Sequence, residues 1–298
     1  MKGWTAISDA RFYADASRGG ALASGLMRID AKRYLFDASV FNMKVGLQRW
    51  AGETYLFDKI TGSAVSGWQL VGGRRLYFDP ATDSMARGGW YAIGSARYRF
   101  DGGGETVGVD LPVPLILQNP ELPAGCEAVA LTELLRYKGF FIGKTDIADR
   151  YLPLSSWDWV YSFAGHPRWM VAGCANAALP PAIVRAGNGY LSDQGSGLRV
   201  RDVSGLSAEE IYSYLRRGVP VEVWSTERLQ STSVLVRRDT GGRTWRLCRH
   251  THAVVVKGYD AQRGIVYVAD PISGTVERDA DRFWSIYDQM GRCALLIE

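Results

Sequence analysis

The sequence predicts two unlike parts, an all-β solenoid of hairpin repeats followed by an α+β domain. Three observations predict them. Glycines recur every 21 residues at Gly25, Gly46, Gly67 and Gly88, with Asp37, Asp58 and Asp79 in the same register. The period stops at the glycine-rich stretch Asp101-Gly102-Gly103-Gly104-Glu105, after which helix and strand patterns take over. A length of 298 residues fits two domains better than one, at roughly 100–200 residues each. The expected boundary separates residues 1–104 from residues 105–298.

Composition excludes several classes. With 47% hydrophobic and 22% charged residues the chain can bury a sizeable core, so disorder is not expected. Its 35 basic and 31 acidic residues are interspersed, and a net charge of +4 is far from a nucleic-acid footprint, so no nucleic-acid partner is expected. Cys126, Cys174, Cys248 and Cys293 have no Cys-x-x-Cys spacing. That argues against a zinc site or a small disulfide framework and leaves room for a lone reactive thiol; no cofactor or metal is expected. No run of about 18 apolar residues predicts a transmembrane segment. Met1-Lys2-Gly3-Trp4 runs straight into the first repeat without a signal-peptide core. The expected location is secreted or on a bacterial surface, reached from a longer precursor or, as phage lysins are, by holin release.

Each of five repeats of about 21 residues ends in an aromatic strand: Arg11-Phe12-Tyr13, Arg33-Tyr34-Leu35-Phe36, Thr54-Tyr55-Leu56-Phe57, Arg75-Leu76-Tyr77-Phe78 and Arg97-Tyr98-Arg99-Phe100. A unit this small cannot bury an apolar face alone, so the hairpins must stack on one another. With Gly67-Trp68 and Gly89-Trp90 ahead of such strands, residues 3 to about 104 resemble the cell-wall-binding repeats of choline-binding proteins, glucan-binding proteins and clostridial toxins. In choline-binding members an aromatic cage takes one Trp from the Gly-Trp pair and another eight positions after the Gly. Here the second position holds Arg11, Arg33, Thr54, Arg75 or Arg97, and the first is Leu26 or Leu47 in two units. A cationic side chain is the wrong wall for a cation. The expected ligand is a glycan or another wall polymer, with Trp68, Tyr77 and Trp90 as candidate platforms and inter-repeat packing as their competing role.

In the second part, residues 113–118 read as a short apolar strand and residues 119–125 as a turn-rich loop. Cys126 follows at the start of a run of good helix formers ending at Tyr137, with Gly139 just beyond. A helix start favours thiolate over thiol, and thiolate is the nucleophilic form. Gln118, eight residues upstream, is placed to set its side-chain amide beside the thiol, where it and the Cys126 N–H could hold an oxyanion. A base active near neutral pH must be His166, His250 or His252. His252 opens the apolar run Ala253-Val254-Val255-Val256, and residues 265–270 form a second strand ending in Asp270. A hairpin of the two returns Asp270 to His252 as its orienting carboxylate. His250 lies on the same side of an extended strand and competes as base, but the apolar run begins directly after His252.

These blocks, Gln118 with Leu122-Pro123-Ala124-Gly125-Cys126-Glu127, His252 to Asp260, and Asp270-Pro271-Ile272-Ser273-Gly274, resemble the bacteriocin-processing-type cysteine peptidases and their C39-like relatives in the papain-like superfamily. The resemblance spans about residues 111–298. It implies an α+β papain-like cysteine peptidase domain behind the all-β hairpin-repeat solenoid, with Cys126 as nucleophile, His252 as acid and base, Asp270 as orienter and Gln118 as oxyanion donor. The implied activity is a cysteine peptidase or amidase acting on peptidoglycan stem peptides or a surface protein. Three rivals stay open: a leader peptidase, which normally comes with a transporter domain; an acyltransferase using the same thioester; and a non-catalytic adhesin or glycan-binding protein. Cys174, Cys248 and Cys293 read as structural, His166 as a loop residue, and Trp157, Trp159, Trp169 and Trp224 as core or groove lining. Asp279, Asp281 and Arg282 read as a solvated helix start.

Overall fold

The structure is a computed structural model and describes residues 3–298. It divides into two compact units, one taking the chain up to Tyr91 with Arg99–Thr106, the other Ala92–Tyr98 with Val107–Glu298.

In the first unit the aromatic runs are the second strands of antiparallel hairpins. Gly3–Ile7 pairs with Ala10–Asp15, Gly25–Ile29 with Lys32–Phe36, Gly46–Trp50 with Glu53–Phe57, and Gly67–Val71 with Arg74–Phe78. The periodic glycines open hairpins because the backbone there is left-handed, with φ of 71° at Gly25 and 72° at Gly46. The periodic aspartates turn the chain after each hairpin. Oδ1 of Asp37 accepts the Ser39 and Val40 N–H groups, and Oδ1 of Asp58 accepts those of Ile60 and Thr61, the side-chain turn that Asp makes best. Stacking then supplies the core. Leu35 of one hairpin packs with Tyr55 and Phe57 of the next, while Leu76, Phe78 and Met85 form the following cluster. Backbone bonds join the turns at the same period, from Met43 N–H to Arg11 C=O, Ala64 to Arg33 and Met85 to Thr54.

The second unit is built on an antiparallel sheet in the order Thr106–Asp110, Thr251–Asp260, Val221–Thr226, Ala294–Ile297, Val200–Asp202. Ile265–Asp270 pairs with Thr251–Asp260 and with Gly274–Asp279. Val221–Thr226 is buried at every residue and Thr251–Asp260 at all but the first, which explains their near-continuous apolar sequences. A register slip falls between Val256 and Gly258, and a Cβ at Gly258 would sit 2.1 Å from Val109 O. Only glycine permits that approach.

Among the described residues four α-helices pack against the sheet: α1 (Cys126–Tyr137), α2 (Pro180–Asp193), α3 (Ala208–Arg216) and α4 (Ala280–Gln289). Residues 126–135 of α1 are all buried, including Glu127 and Glu133. Ser207 and Glu210 cap α3 reciprocally, and Asp279 caps α4 by accepting the Arg282 N–H at 2.8 Å. One expected strand is not formed: residues 113–118 run as irregular chain. Pro112 and Pro114 have no N–H for a ladder, and the Ile116 N–H is taken by Glu133 Oε1 at 2.8 Å.

Candidate active site

Cys126 is the first residue of α1, which packs on the strand Thr251–Asp260. The Ala253 N–H of that strand, one residue after His252, points at Cys126 Sγ, 3.4 Å away. His252 Nε2 lies 2.7 Å from Asp270 Oδ1, joined by the hairpin that pairs Val255 with Ala269. With Nε2 committed to Asp270, Nδ1 is the ring nitrogen left for another partner. All three side chains are buried, at 7% exposure for Cys126, 2% for His252 and 3% for Asp270.

Asp270 is held by four donors. Besides His252, its Oδ1 accepts the Ile272 and Ser273 N–H groups at 2.9 and 3.1 Å, and its Oδ2 lies 3.3 Å from Arg278 Nη2. Burial raises the carboxyl, yet the His252 hydrogen bond and charge, with the two N–H groups, outweigh it and hold Asp270 well below the usual carboxylate range. A permanently charged carboxylate is what an imidazolium needs as its partner.

Gln118 is also buried, and its N–H donates to Pro271 C=O at 2.9 Å, tying it to the residue after Asp270. Its Nε2 donates to Pro123 O at 2.9 Å. That fixes which way the amide faces, and the amide carries a second N–H. Its Oε1 has no hydrogen-bond partner among the described residues.

The thiol departs from the sequence expectation. Burial pushes Cys126 well above the ordinary thiol range, the Glu127 charge adds to that, and the Ala253 N–H only partly opposes it. The helix start is therefore outweighed in the resting site. His250 also departs: it sits at φ 59° in an exposed turn before the strand, not on an extended strand beside His252. His166 is stacked on Trp169 with ring centroids 3.7 Å apart, and its Nδ1 accepts the Arg168 N–H. Cys174, Cys248 and Cys293 are free thiols, and Cys248 packs with Ile286 of α4 and with Met290 just past its end. Trp224 and Trp159 are core residues, whereas Trp157 and Trp169 are exposed.

The candidate ligand residues of the repeats, Trp68, Tyr77 and Trp90, are each half-buried. Tyr77 meets Trp68 edge-on at 5.2 Å, and the Arg75 guanidinium lies 3.8 Å from the Trp68 ring centroid. Two of the other arginines are struts to a turn two repeats ahead. Arg11 Nη1 donates to Ile60 O at 2.9 Å, and Arg33 Nη1 reaches Asp83 Oδ2 at 2.6 Å.

A family model, the Peptidase_C39 like family, matches residues 110–295, more than half of the chain. The chain belongs to this family. Its match takes in Gln118, Cys126, His252 and Asp270. A Bacillus subtilis protein, YvpB, described as uncharacterized, is 28% identical over 202 residues, 65% of this chain and 78% of its own length. The crystal structure of a candidate C39-like peptidase from Bacillus anthracis shares the fold at a TM-score of 0.54 with 23% identity, covering 63% of this chain and 94% of that one. Choline-binding protein F from Streptococcus pneumoniae is 29% identical over 36% of this chain and 35% of its own, at a TM-score of 0.31. At that value the reading of the repeats rests on the hairpins themselves.

Within this C39-like unit, sequence reasoning gave no role to Arg278, Glu133 and Glu222, and named Glu127 only as the end of the block around Cys126. Arg278 carries no local signal, because only the pairing of Gly274–Asp279 with Ile265–Asp270 brings it to Asp270. The three glutamates do carry one: each interrupts an otherwise apolar stretch, as in Val221-Glu222-Val223-Trp224. An acid in such a run points to a buried polar group with a specific reason to be there.

Proposed function

We propose that this C39-like chain is a cysteine peptidase or amidase working through Cys126, His252 and Asp270. On this reading residues 105–298 form the catalytic domain, and residues 1–104 carry it to a bacterial wall polymer. The observation that supports it most strongly is the buried 2.7 Å contact of His252 with Asp270, one residue from the Ala253 N–H that meets the Cys126 thiol.

The chemistry follows from those positions. His252 Nδ1 takes the thiol proton, and Asp270 stabilises the imidazolium that results. The thiolate adds to an amide carbonyl. The second Gln118 N–H and the Cys126 N–H, free of an intrahelical acceptor at the helix start, take the oxyanion. His252 returns its proton to the leaving amine, leaving an acyl group on Cys126, and water then releases that group by the same route. Tethering to a wall raises the local concentration of bonds within it, so the substrate amide is placed in peptidoglycan stem peptides or a wall-attached protein. Location outside the cell or on its surface belongs to the same reading. No helix of the structure is long and apolar enough to cross a membrane.

The test is digestion of purified bacterial walls with mass spectrometry of the released fragments. Wild type should release fragments with new amino termini, and Cys126→Ala should release none while still sedimenting with the walls. Equal release by both proteins would overturn the reading.

A further inference from the structure

Around Cys126 and Asp270 the protein has buried three carboxyl groups that the triad does not use. Glu127 is 1% exposed, and Glu133 and Glu222 are 0% exposed. Glu127 Oε1 accepts the Ala178 N–H at 2.9 Å, and its Oε2 takes the Cys126 thiol at 3.3 Å. Neither carboxyl oxygen of Glu222 has a hydrogen-bond partner among the described residues, nor does Oε2 of Glu133. A buried carboxylate without a cation or donors is costly, so Glu222 and Glu133 belong in their neutral forms. Burial raises the Glu127 carboxyl as well, but unlike the other two it has donors on both oxygens and His252 close enough to oppose that rise.

We infer that Glu127 sets the ionisation of the nucleophile, its carboxylate holding the Cys126 thiol proton in the resting site and competing with His252 for it. This rests on Cys126 being the nucleophile. The proton accounting is simple. With Glu127 charged, S–H donates to carboxylate oxygen and the imidazole has no proton to take without leaving two anions side by side. With Glu127 protonated, the thiol proton passes to His252 Nδ1, and the carboxyl O–H can donate to the sulfur anion that remains. The charged or titratable groups facing Glu127 are Cys126 on its own helix, His252 on Thr251–Asp260 and Glu222 on Val221–Thr226. From the segment leading into α2 it receives the Ala178 N–H alone.

Glu127→Gln keeps the shape and the acceptor for Ala178 while removing the charge. A like charge at this distance delays ionisation by about one to three pH units. The Cys126 alkylation profile with iodoacetamide, read by peptide mass spectrometry, should therefore move to lower pH in E127Q. At pH 6–7 its rate should rise about tenfold or more over wild type. An unmoved profile overturns the inference, whereas a Cys126 that resists alkylation at every pH in both proteins overturns the nucleophile assignment instead. If E127Q does not fold, carboxyl-13C NMR of wild type decides the matter. The Glu127 resonance should respond across the same pH interval as Cys126 alkylation, and a resonance silent there refutes the coupling.

Discussion

Asp270→Asn removes the charge from the proposed triad while keeping its shape. In wild type, Oδ1 accepts from His252 Nε2 and from two backbone N–H groups, and Oδ2 faces Arg278. An Asn must keep its oxygen toward Ile272 and Ser273, so Nδ2 faces Arg278 and repels it. Turned the other way, its amide opposes the His252 N–H and both backbone donors. Either orientation breaks one buried charged contact and leaves the imidazolium without an anion. Breaking such a pair costs about 3–5 kcal/mol, and at 1.36 kcal/mol per tenfold change the rate of acylation should fall about 10²- to 10⁴-fold. The assay is single-turnover release of wall fragments with excess enzyme, so that wall affinity through the repeats does not enter. The loss should not be recovered by raising pH, because the missing group is an anion that wild type holds charged throughout the range. A fall of less than threefold would refute the role given to Asp270.

Other predictions concern the repeats and the buried acids. Phe57→Ala, at a side chain 1% exposed between Leu35 and Tyr55, should destabilise the repeat unit by about 3–5 kcal/mol in urea unfolding; an unchanged midpoint would contradict the stacked core. Burial pushes Glu133 up to about 8, so the folded state binds a proton that the unfolded state has released. That contribution is present near pH 4.5 and is lost as pH rises toward 8. Glu133→Gln, which keeps the acceptor for the Ile116 N–H, should match wild type near pH 4.5 and be the more stable at pH 8; parallel stability curves would refute the assignment. Finally, Cys126→Ala protein bound to walls should stay bound when choline is added, since Arg75 already covers the Trp68 face. Release by choline, followed by sedimentation, would show a cation cage that the arginines do not block.

The repeat solenoid was legible because its physics is local. A left-handed glycine, an Asx turn and an aromatic strand each leave a mark every 21 residues. The placement of Cys126 and the pairing of His252 with Asp270 were legible for a related reason, since a cysteine at a helix start and a His–Asp hairpin are both short-range patterns. Irregular chain at residues 113–118 was not, because the Glu133 oxygen that takes the Ile116 N–H comes from a helix 17 residues away. The role of the repeat arginines was half legible: their charge argued against a choline cage, but their use as struts to Ile60 and Asp83 depends on stacking. Thiol ionisation was the clearest miss. The helix-end argument was sound by itself, and burial with Glu127 alongside outweighed it.

Covalent catalysis by Cys126 is the claim on which the rest depends, and acid-quenched intact-protein mass spectrometry tests it most directly. Reactions with wall peptides, stopped within the first turnovers, should show an acyl adduct that maps to the peptide containing Cys126 and is lost on treatment with hydroxylamine. Fragment release with no adduct at Cys126, or release that persists in Cys126→Ala, would contradict the account.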